Sequence, residues 1–156
     1  MLRRVALVLV VSLAACTPEV CQTDSLPYLG RPTTPEQLFE VVQYSARNDC
    51  CGPMYHLLSK RTQDEHSRTK FCLFWESLRL PEPFAEYRVV DVVSKGEFLA
   101  VLPDPTGRQF MFVHYQEPGK VALDAQLLLV FEQGEPRLGL QDQVDQALPF
   151  AQPPAK

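Results

Sequence analysis

The side chains with the most distinctive chemistry in this 156-residue chain are its five cysteines. Cys16 lies near the N-terminus, Cys50 and Cys51 are adjacent, and Cys21 and Cys72 stand on either side of that pair. A thiol can carry a lipid, form a disulfide or, as a thiolate, bind zinc. Which of these applies depends on the compartment in which the chain folds, and the N-terminal residues address that question.

The first sixteen residues have the three parts of an export signal. Arg3 and Arg4 form a positive n-region, Val5–Val11 form an apolar h-region, and small residues follow. The h-region is too short to span a bilayer. The run Leu13–Cys16, with two alanines before the cysteine, resembles the lipobox of bacterial lipoproteins. That resemblance implies cleavage before Cys16, a diacylglyceryl group on its thiol, and acylation of the new amino group by a fatty acid such as palmitate.

The same resemblance implies a location in the bacterial cell envelope. Two or more acyl chains on one residue hold a protein stably at a membrane, so membrane lipid becomes the first expected partner. Thr17 follows the cysteine, and the absence of aspartate there resembles lipoproteins that are passed on to the outer membrane. The leaflet stays open.

Export would place the other four cysteines where disulfides form and persist. A bridge between the adjacent Cys50 and Cys51 would close a strained ring, because its geometry distorts the peptide between them. Two pairings remain, each joining Cys21 to one member of that pair and Cys72 to the other. A zinc site formed by Cys50, Cys51, Cys72 and His56 would lack C-x-x-C spacing. We therefore expect disulfides, and no metal or other cofactor.

Composition predicts one domain and excludes nucleic acid as a partner. Without residues 1–15, which form the predicted signal, 13 basic residues stand against 19 acidic ones, a net charge of −6. A chain of that charge without a basic run does not favour phosphate backbones. We interpret residues 16–33 as a lipidated tether, 34–140 as the domain and 141–156 as a flexible tail.

Three helices are predicted in the first half of the domain. Thr34 is a capping hydroxyl, and Pro35 stands at the first helical position of a helix that should run to Asn48. A short second helix should end near Lys60. Thr62 begins a capping box for a third helix, whose apolar positions repeat at helical spacing as far as residue 78.

The second half has the pattern of antiparallel strands. Runs of β-branched and aromatic residues between turn sequences predict strands at Tyr87–Val93, Glu97–Leu102, Gln109–Tyr115 and Val121–Phe131, with a short one at Arg137–Leu140.

One predicted strand is apolar on both of its faces. Phe110 and Phe112 share one parity, and Met111 and Val113 share the other. Helices can cover only one face of the sheet, so the other should face a partner subunit, the C-terminal tail or solvent.

Helices followed by a meander of strands resemble the NTF2-like superfamily, the fold of ketosteroid isomerases. The resemblance covers residues 34–140 and includes the closing segment Leu127–Leu138, which is similar to the last hairpin of that superfamily; an early strand of fuller members is missing. It implies an α+β fold in which N-terminal helices pack on a curved antiparallel sheet of about four strands, forming a cone with an apolar pocket. Aromatic candidates for lining such a pocket are Tyr44, Tyr55, Trp75 and Phe112.

Asp91 and His114 are the candidates for a catalytic base in such a cone, because burial shifts the pKa of an acid or an imidazole. By strand parity Asp91 aligns with Val89 and Val93. His56 and His66 are too far apart for an i, i+4 metal pair, and we expect both on the surface. The chain has no nucleophile elbow, P-loop or H-E-x-x-H sequence.

The sequence therefore favours a non-enzymatic envelope lipoprotein that binds a small apolar ligand or a protein partner. The alternative is a small ketosteroid-isomerase-like enzyme using Asp91 or His114. A third hypothesis is a structural subunit that forms a homodimer through the outer face of its sheet. An enzyme needs polar groups that converge in a cavity, whereas an assembly subunit needs a filled core and an exposed apolar face.

Overall fold

The computed structural model describes Cys21 and residues 23–78 and 88–140. The predicted signal, Cys16 and the tail at 141–156 lie outside these residues. Two 3₁₀ turns come first, at Thr23–Ser25 and Pro27–Gly30. The helices are α1 (Pro35–Arg47), α2 (Cys51–His56), α3 (Lys60–Glu65), α4 (Arg68–Ser77) and α5 (Val89–Lys95). The strands are β1 (Glu97–Pro103), β2 (Gln109–Tyr115), β3 (Leu123–Glu132) and β4 (Glu135–Leu138).

The fold class is α+β, as the sequence predicts. The four strands form one antiparallel sheet in the order β1-β2-β3-β4, a simple meander. No helix among the described residues has the length and hydropathy to cross a bilayer.

Serine and threonine caps divide the helical half. The predicted cap of α1 is confirmed, since the Thr34 hydroxyl accepts a hydrogen bond from the Gln37 amide. Thr62, however, begins no helix: it lies inside α3, where it is fully buried. Ser59 caps α3 and Ser67 caps α4. The sequence predicts one helix here, but the extended backbone of residue 66 ends α3, and α4 begins after the new cap at Ser67.

The predicted strand Tyr87–Val93 is wrong for its described part, which is the helix α5. Two ion pairs with helical spacing support the helix: the Arg88 guanidinium lies 2.6 Å from the Asp91 carboxylate, and the Lys95 ammonium lies 3.6 Å from it. Three of its four valines are buried against α1 and the sheet. Tertiary packing therefore outweighs the strand preference of β-branched residues.

Gly96 lets α5 turn directly into β1. A Cβ at this position would overlap the Val113 side chain and the Val92 carbonyl oxygen. The carbonyl of Gly96 accepts a hydrogen bond from the Gln43 side chain at 2.6 Å, which ties this junction to α1.

The helices cover one face of the sheet and leave the other open. Met111, Val113 and Tyr115 of β2 are buried under the helices, whereas the residues of opposite parity are only partly buried. The core is continuous from α1 to β4, and its largest fully buried side chains are Phe71, Leu38, Leu57, Leu58, Met111 and Leu138.

Two disulfides attach the N-terminal segment and α4 to the same point. Cys21 bonds to Cys50 and Cys51 bonds to Cys72, with Cα–Cα distances of 5.8 and 5.5 Å. This is one of the two pairings that the sequence leaves open. Part of the predicted tether, residues 23–30, therefore lies in 3₁₀ turns, and the turn Pro27–Gly30 packs on α1.

We predict that the cysteine pairing can be read from double variants. Cys21→Ser with Cys50→Ser should leave the other bond intact, so alkylation of unreduced, denatured protein should find no free thiol. Cys21→Ser with Cys51→Ser should leave two free thiols, because Cys50 and Cys72 are not partners. Loss of either native bond should lower the free energy of unfolding by about 3 to 4 kcal/mol, the chain-entropy value for loops of this length.

The opposite labelling pattern would contradict this connectivity. Urea denaturation of the same variants measures the change in the free energy of unfolding. The variant Cys21→Ser with Cys50→Ser keeps one disulfide and has no free thiol, so it is the control for thiol labelling.

Candidate functional site

The interior between helices and sheet is filled. The space left there is about 10 Å³, and it is lined by Trp75, Met54, Leu127 and other core side chains. A volume of this size holds at most one water. Trp75 is 3% exposed and stacks on Phe71 with ring centroids 6.3 Å apart. This space between the helices and the sheet is therefore too small for an apolar ligand.

The four aromatic pocket candidates do not converge. Trp75 lines the small internal space, whereas Phe112 lies on the uncovered sheet face. Tyr55 donates its hydroxyl to the His66 carbonyl at 2.9 Å and thereby ties α2 to the loop between α3 and α4. Tyr44 is partly buried on α1, where its carbonyl accepts hydrogen bonds from the residue after the helix.

Asp91 lies on the helical side of the sheet. It is in the first turn of α5, and both of its carboxylate oxygens bond to the Arg88 guanidinium. A carboxylate held by two cations on a helix surface has an ordinary structural role.

His114 lies on the other side of the sheet. Its Nδ1 is 2.7 Å from the Asp124 carboxylate, directly across the strand pair β2–β3. Its parity is opposite to that of the core residue Val113, so the sheet separates it from α5 and Asp91. The two candidate bases therefore share no site.

The other histidines differ from each other. His56 is exposed at the end of α2, as the sequence predicts. His66 is 3% exposed, and neither ring nitrogen has a hydrogen-bond partner among the described residues. The surface prediction for His66 is wrong because the turn between α3 and α4 folds its ring inward. The described residues contain no cluster of three or more metal-ligating side chains.

A strongly shifted pKa occurs in a turn rather than in a cavity. The Thr106 hydroxyl donates to the Asp104 carboxylate at 2.7 Å, and the amide and guanidinium of Arg108 also donate to it. Together these bonds lower the pKa of Asp104 to about 2. They close the β1–β2 turn, which is a structural use of a carboxylate.

The uncovered sheet face carries a contiguous apolar surface, which we call the outer face. Leu102, Phe110 and Leu128 form one cross-strand row, and Ala100 pairs with Phe112 in the next. Val130 adjoins them on β3. Leu102 is 52% exposed and the others are partly buried.

Charged residues border this apolar surface at opposite ends of the strands. Arg108 lies at one end, with its guanidinium 5.5 Å above the ring centroid of Phe110. At the other end Glu97, His114 and Asp124 form a cross-strand row, and Asp124 is 65% exposed. One end of the outer face, which we call the basic end, thus carries Arg108 in an ion pair with Asp104, the middle is apolar, and the other end carries Glu97 and Asp124.

Sequence reasoning identified Phe110 and Phe112 but missed their neighbours on β1. The register of β1 shifts at a bulge between Phe98 and Ala100. Because of this shift, simple alternation along β1 would group Phe98 with Ala100 and Leu102, whereas the register places Phe98 opposite the core residue Val113 and Glu97 on the outer face. The position of Arg108, two residues before Phe110, was the available signal for the basic end.

Comparison of the chain with models of protein families, with curated proteins and with solved structures finds no match.

We predict that Asp91→Asn and His114→Gln each change the free energy of unfolding by about 1 kcal/mol or less, because Asp91 forms a partly exposed ion pair and His114 a partly exposed contact with the Asp124 carboxylate. Met111→Ala is the positive control: it removes a fully buried side chain and should cost about 2 to 5 kcal/mol. Urea denaturation measures all three. An isomerase or hydrolase activity of the purified protein that disappears in either variant, with the fold intact by circular dichroism, would support the enzymatic hypothesis instead.

Proposed function

We propose that this protein is a lipid-anchored lipoprotein of the bacterial cell envelope whose domain is a non-enzymatic assembly module. The outer face is the observation that carries the proposal. Six apolar side chains lie on this face, where Leu102 is 52% exposed and the other five are partly buried, while the small space between helices and sheet has no room for a ligand. Contiguous apolar surface on a soluble domain marks an interaction site.

The occupant that we propose for the outer face is a second copy of the chain. The two sheets would face each other across a two-fold axis that lies midway between them. This axis is perpendicular to the strands and passes at the level of Met111, so the strands of the two copies are antiparallel. The Phe110 row of one copy then packs on the Phe112 row of the other. Arg108 of each copy meets the acidic row around Asp124 of its partner, so apolar and charged regions are matched at once.

The anchor part of the proposal rests on the sequence Leu13–Cys16 and the apolar run before it. Two disulfides support an exported chain, because such bonds persist in oxidising compartments. The absence of aspartate after Cys16 supports the outer membrane as the destination.

We also propose that the domain is a reduced variant of the NTF2-like fold. Helices that precede an antiparallel meander and pack on one of its faces support this assignment. The filled interior distinguishes it from the pocket-bearing members that the resemblance implies. This difference favours assembly over the ketosteroid-isomerase-like alternative.

The lipid anchor leads to a direct prediction. Cys16→Ser should abolish incorporation of radioactive palmitate and leave residues 1–15 uncleaved, because the acylated thiol marks the cleavage site. Thr17→Ser is the matched control and should be labelled and processed normally. Mature-size, palmitate-labelled protein from the Cys16→Ser gene would contradict the anchor, as would the absence of label in the unchanged protein.

The homodimer can be tested in cells with a photo-crosslinking amino acid. Placed at Gln126, which is exposed on the outer face beside Phe112, it should capture a second copy. Placed at Glu76, which is exposed on α4, it should not. Arg108→Glu should reduce the dimer band because it opposes like charges, and adding Glu97→Arg should restore it.

A crosslink from Gln126 only to residues 141–156 of the same chain would contradict the dimer and identify the tail as the cover. Exclusive capture of a different envelope protein would likewise exclude the second copy as occupant.

A further inference from the structure

A second recess lies beyond the edge of the sheet that β4 forms. The N-terminal segment, α2, the start of α3 and the β3–β4 hairpin enclose a cleft of about 780 Å³. We call it the basic cleft, because four cationic side chains and two carboxylates line it: Arg31, Lys60, Arg68, Arg137, Glu132 and Glu135. This excess of positive charge occurs in a chain whose overall charge is negative.

Two arginines of the basic cleft stand out by their lack of partners. The backbone amide of Arg31 donates to the Tyr28 carbonyl, but within the described residues the guanidiniums of Arg31 and Arg68 have neither a hydrogen bond nor an ion pair. The other lysines and arginines of that part each contact a partner group: Arg47, Lys60, Arg61, Lys70, Arg88, Lys95, Arg108, Lys120 and Arg137. Both unpartnered guanidiniums therefore line one and the same cleft.

The two carboxylates of the cleft are already engaged. Glu135 bonds to the Arg137 guanidinium at 2.6 Å, and Glu132 accepts a hydrogen bond from the Lys60 backbone amide at 2.7 Å. Arg137 also donates to the His56 carbonyl at 3.0 Å. These contacts hold the far wall of the cleft and leave the free positive charge at Arg31 and Arg68.

The wall beside Arg68 is shaped for its guanidinium. The Arg68 guanidinium occupies the space beside Gly52: a Cβ at residue 52 would overlap the Arg68 Nη2 and lie 3.2 Å from its Cζ. Residue 52 is thus the place where a missing side chain lets the guanidinium sit against the helix. A guanidinium presents paired N–H donors whose spacing matches the oxygens of a phosphate group.

We propose that the basic cleft binds a phosphate group, with Arg31 and Arg68 as its principal ligands. The group belongs to a membrane phospholipid or to a soluble phosphate ester. The lipid source rests on the proposed function, because it requires an acylated Cys16. The binding of a phosphate group by Arg31 and Arg68 does not depend on the proposed function.

The position of the cleft favours a ligand at the membrane surface. Cys21 lines the cleft and follows Cys16 by five residues, which span at most about 17 Å when fully extended. The Cys21–Cys50 bond fixes Cys21 to the residue before α2. The five residues from Cys16 to Cys21 therefore limit the separation between Cys16 and the cleft. An acylated Cys16 would therefore hold the cleft within reach of the phospholipid headgroups.

Thermal unfolding of the mature protein in neutral detergent tests the proposal. The first two probes are inorganic phosphate and glycerol phosphate, each compared with sodium chloride at equal ionic strength. The third is phosphatidylglycerol in the micelle, compared with a phosphate-free glycolipid of the same chain length. A ligand that binds the folded state raises the unfolding midpoint as its concentration increases.

The variant Arg31→Gln with Arg68→Gln should weaken the apparent affinity for phosphate by at least about tenfold, since each lost charge-assisted contact is worth that much. Lys95→Gln with Lys120→Gln is the matched control: it removes the same charge from two exposed residues outside the cleft and should change the affinity little. Gly52→Ala should weaken binding without removing charge, because it displaces the Arg68 guanidinium.

A midpoint shift with the soluble probes alone would support a phosphate ester as ligand, and a shift with phosphatidylglycerol alone would support the lipid. No shift with any of the three probes would overturn the proposal, as would an unchanged shift in the Arg31/Arg68 variant. If palmitate labelling fails while the phosphate shift persists, the lipoprotein function is wrong and the cleft remains a soluble-phosphate site.

Discussion

The rest of the structure depends on two disulfides that join two adjacent cysteines to two different segments of the chain. Cys50, the residue before α2, bonds to the N-terminal segment, and Cys51, the first residue of α2, bonds to α4, so both are joined at the start of a six-residue helix. The two loops together contribute roughly 6 to 8 kcal/mol by the chain-entropy estimate, which is comparable to the net stability of an ordinary domain. The segment that carries Arg31, one wall of the basic cleft, is held by the first of these bonds and by the packing of the turn Pro27–Gly30 on α1.

Local sequence predicted the elements whose signals are local. The Thr34 cap and the strand Gln109–Tyr115 lie where capping chemistry and alternation place them. The helix Val89–Lys95 was missed because four valines favour a strand, and the decisive contacts are with α1 and β2. The spacing of Asp91 and Lys95 was compatible with a helix, but an i, i+4 ion pair is worth only a few tenths of a kcal/mol.

The candidate sites were less predictable because they are defined by relations between distant residues. Parity identified Phe110 and Phe112 on the outer face, yet the place of Glu97 on the same face depends on a bulge that only the strand register reveals. Arg31 and Arg68 look like any other arginines in the sequence. Their distinction is the absence of a partner, and that absence can be judged only when the surroundings of both guanidiniums are known.

The proposed dimer and the basic cleft constrain each other through symmetry. A two-fold axis that pairs Arg108 with the acidic row of a second copy runs midway between the two facing sheets, parallel to their planes and perpendicular to the strands. Rotation about this axis reverses the strands and the sheet normal but preserves the direction from β1 to β4. Both β4 edges, and hence both clefts and both Cys21 residues, then point the same way, as the proposed anchoring of both copies in one membrane would require. An axis parallel to the strands would bring like charges together and turn the two β4 edges in opposite directions, so charge matching and membrane attachment select the same arrangement.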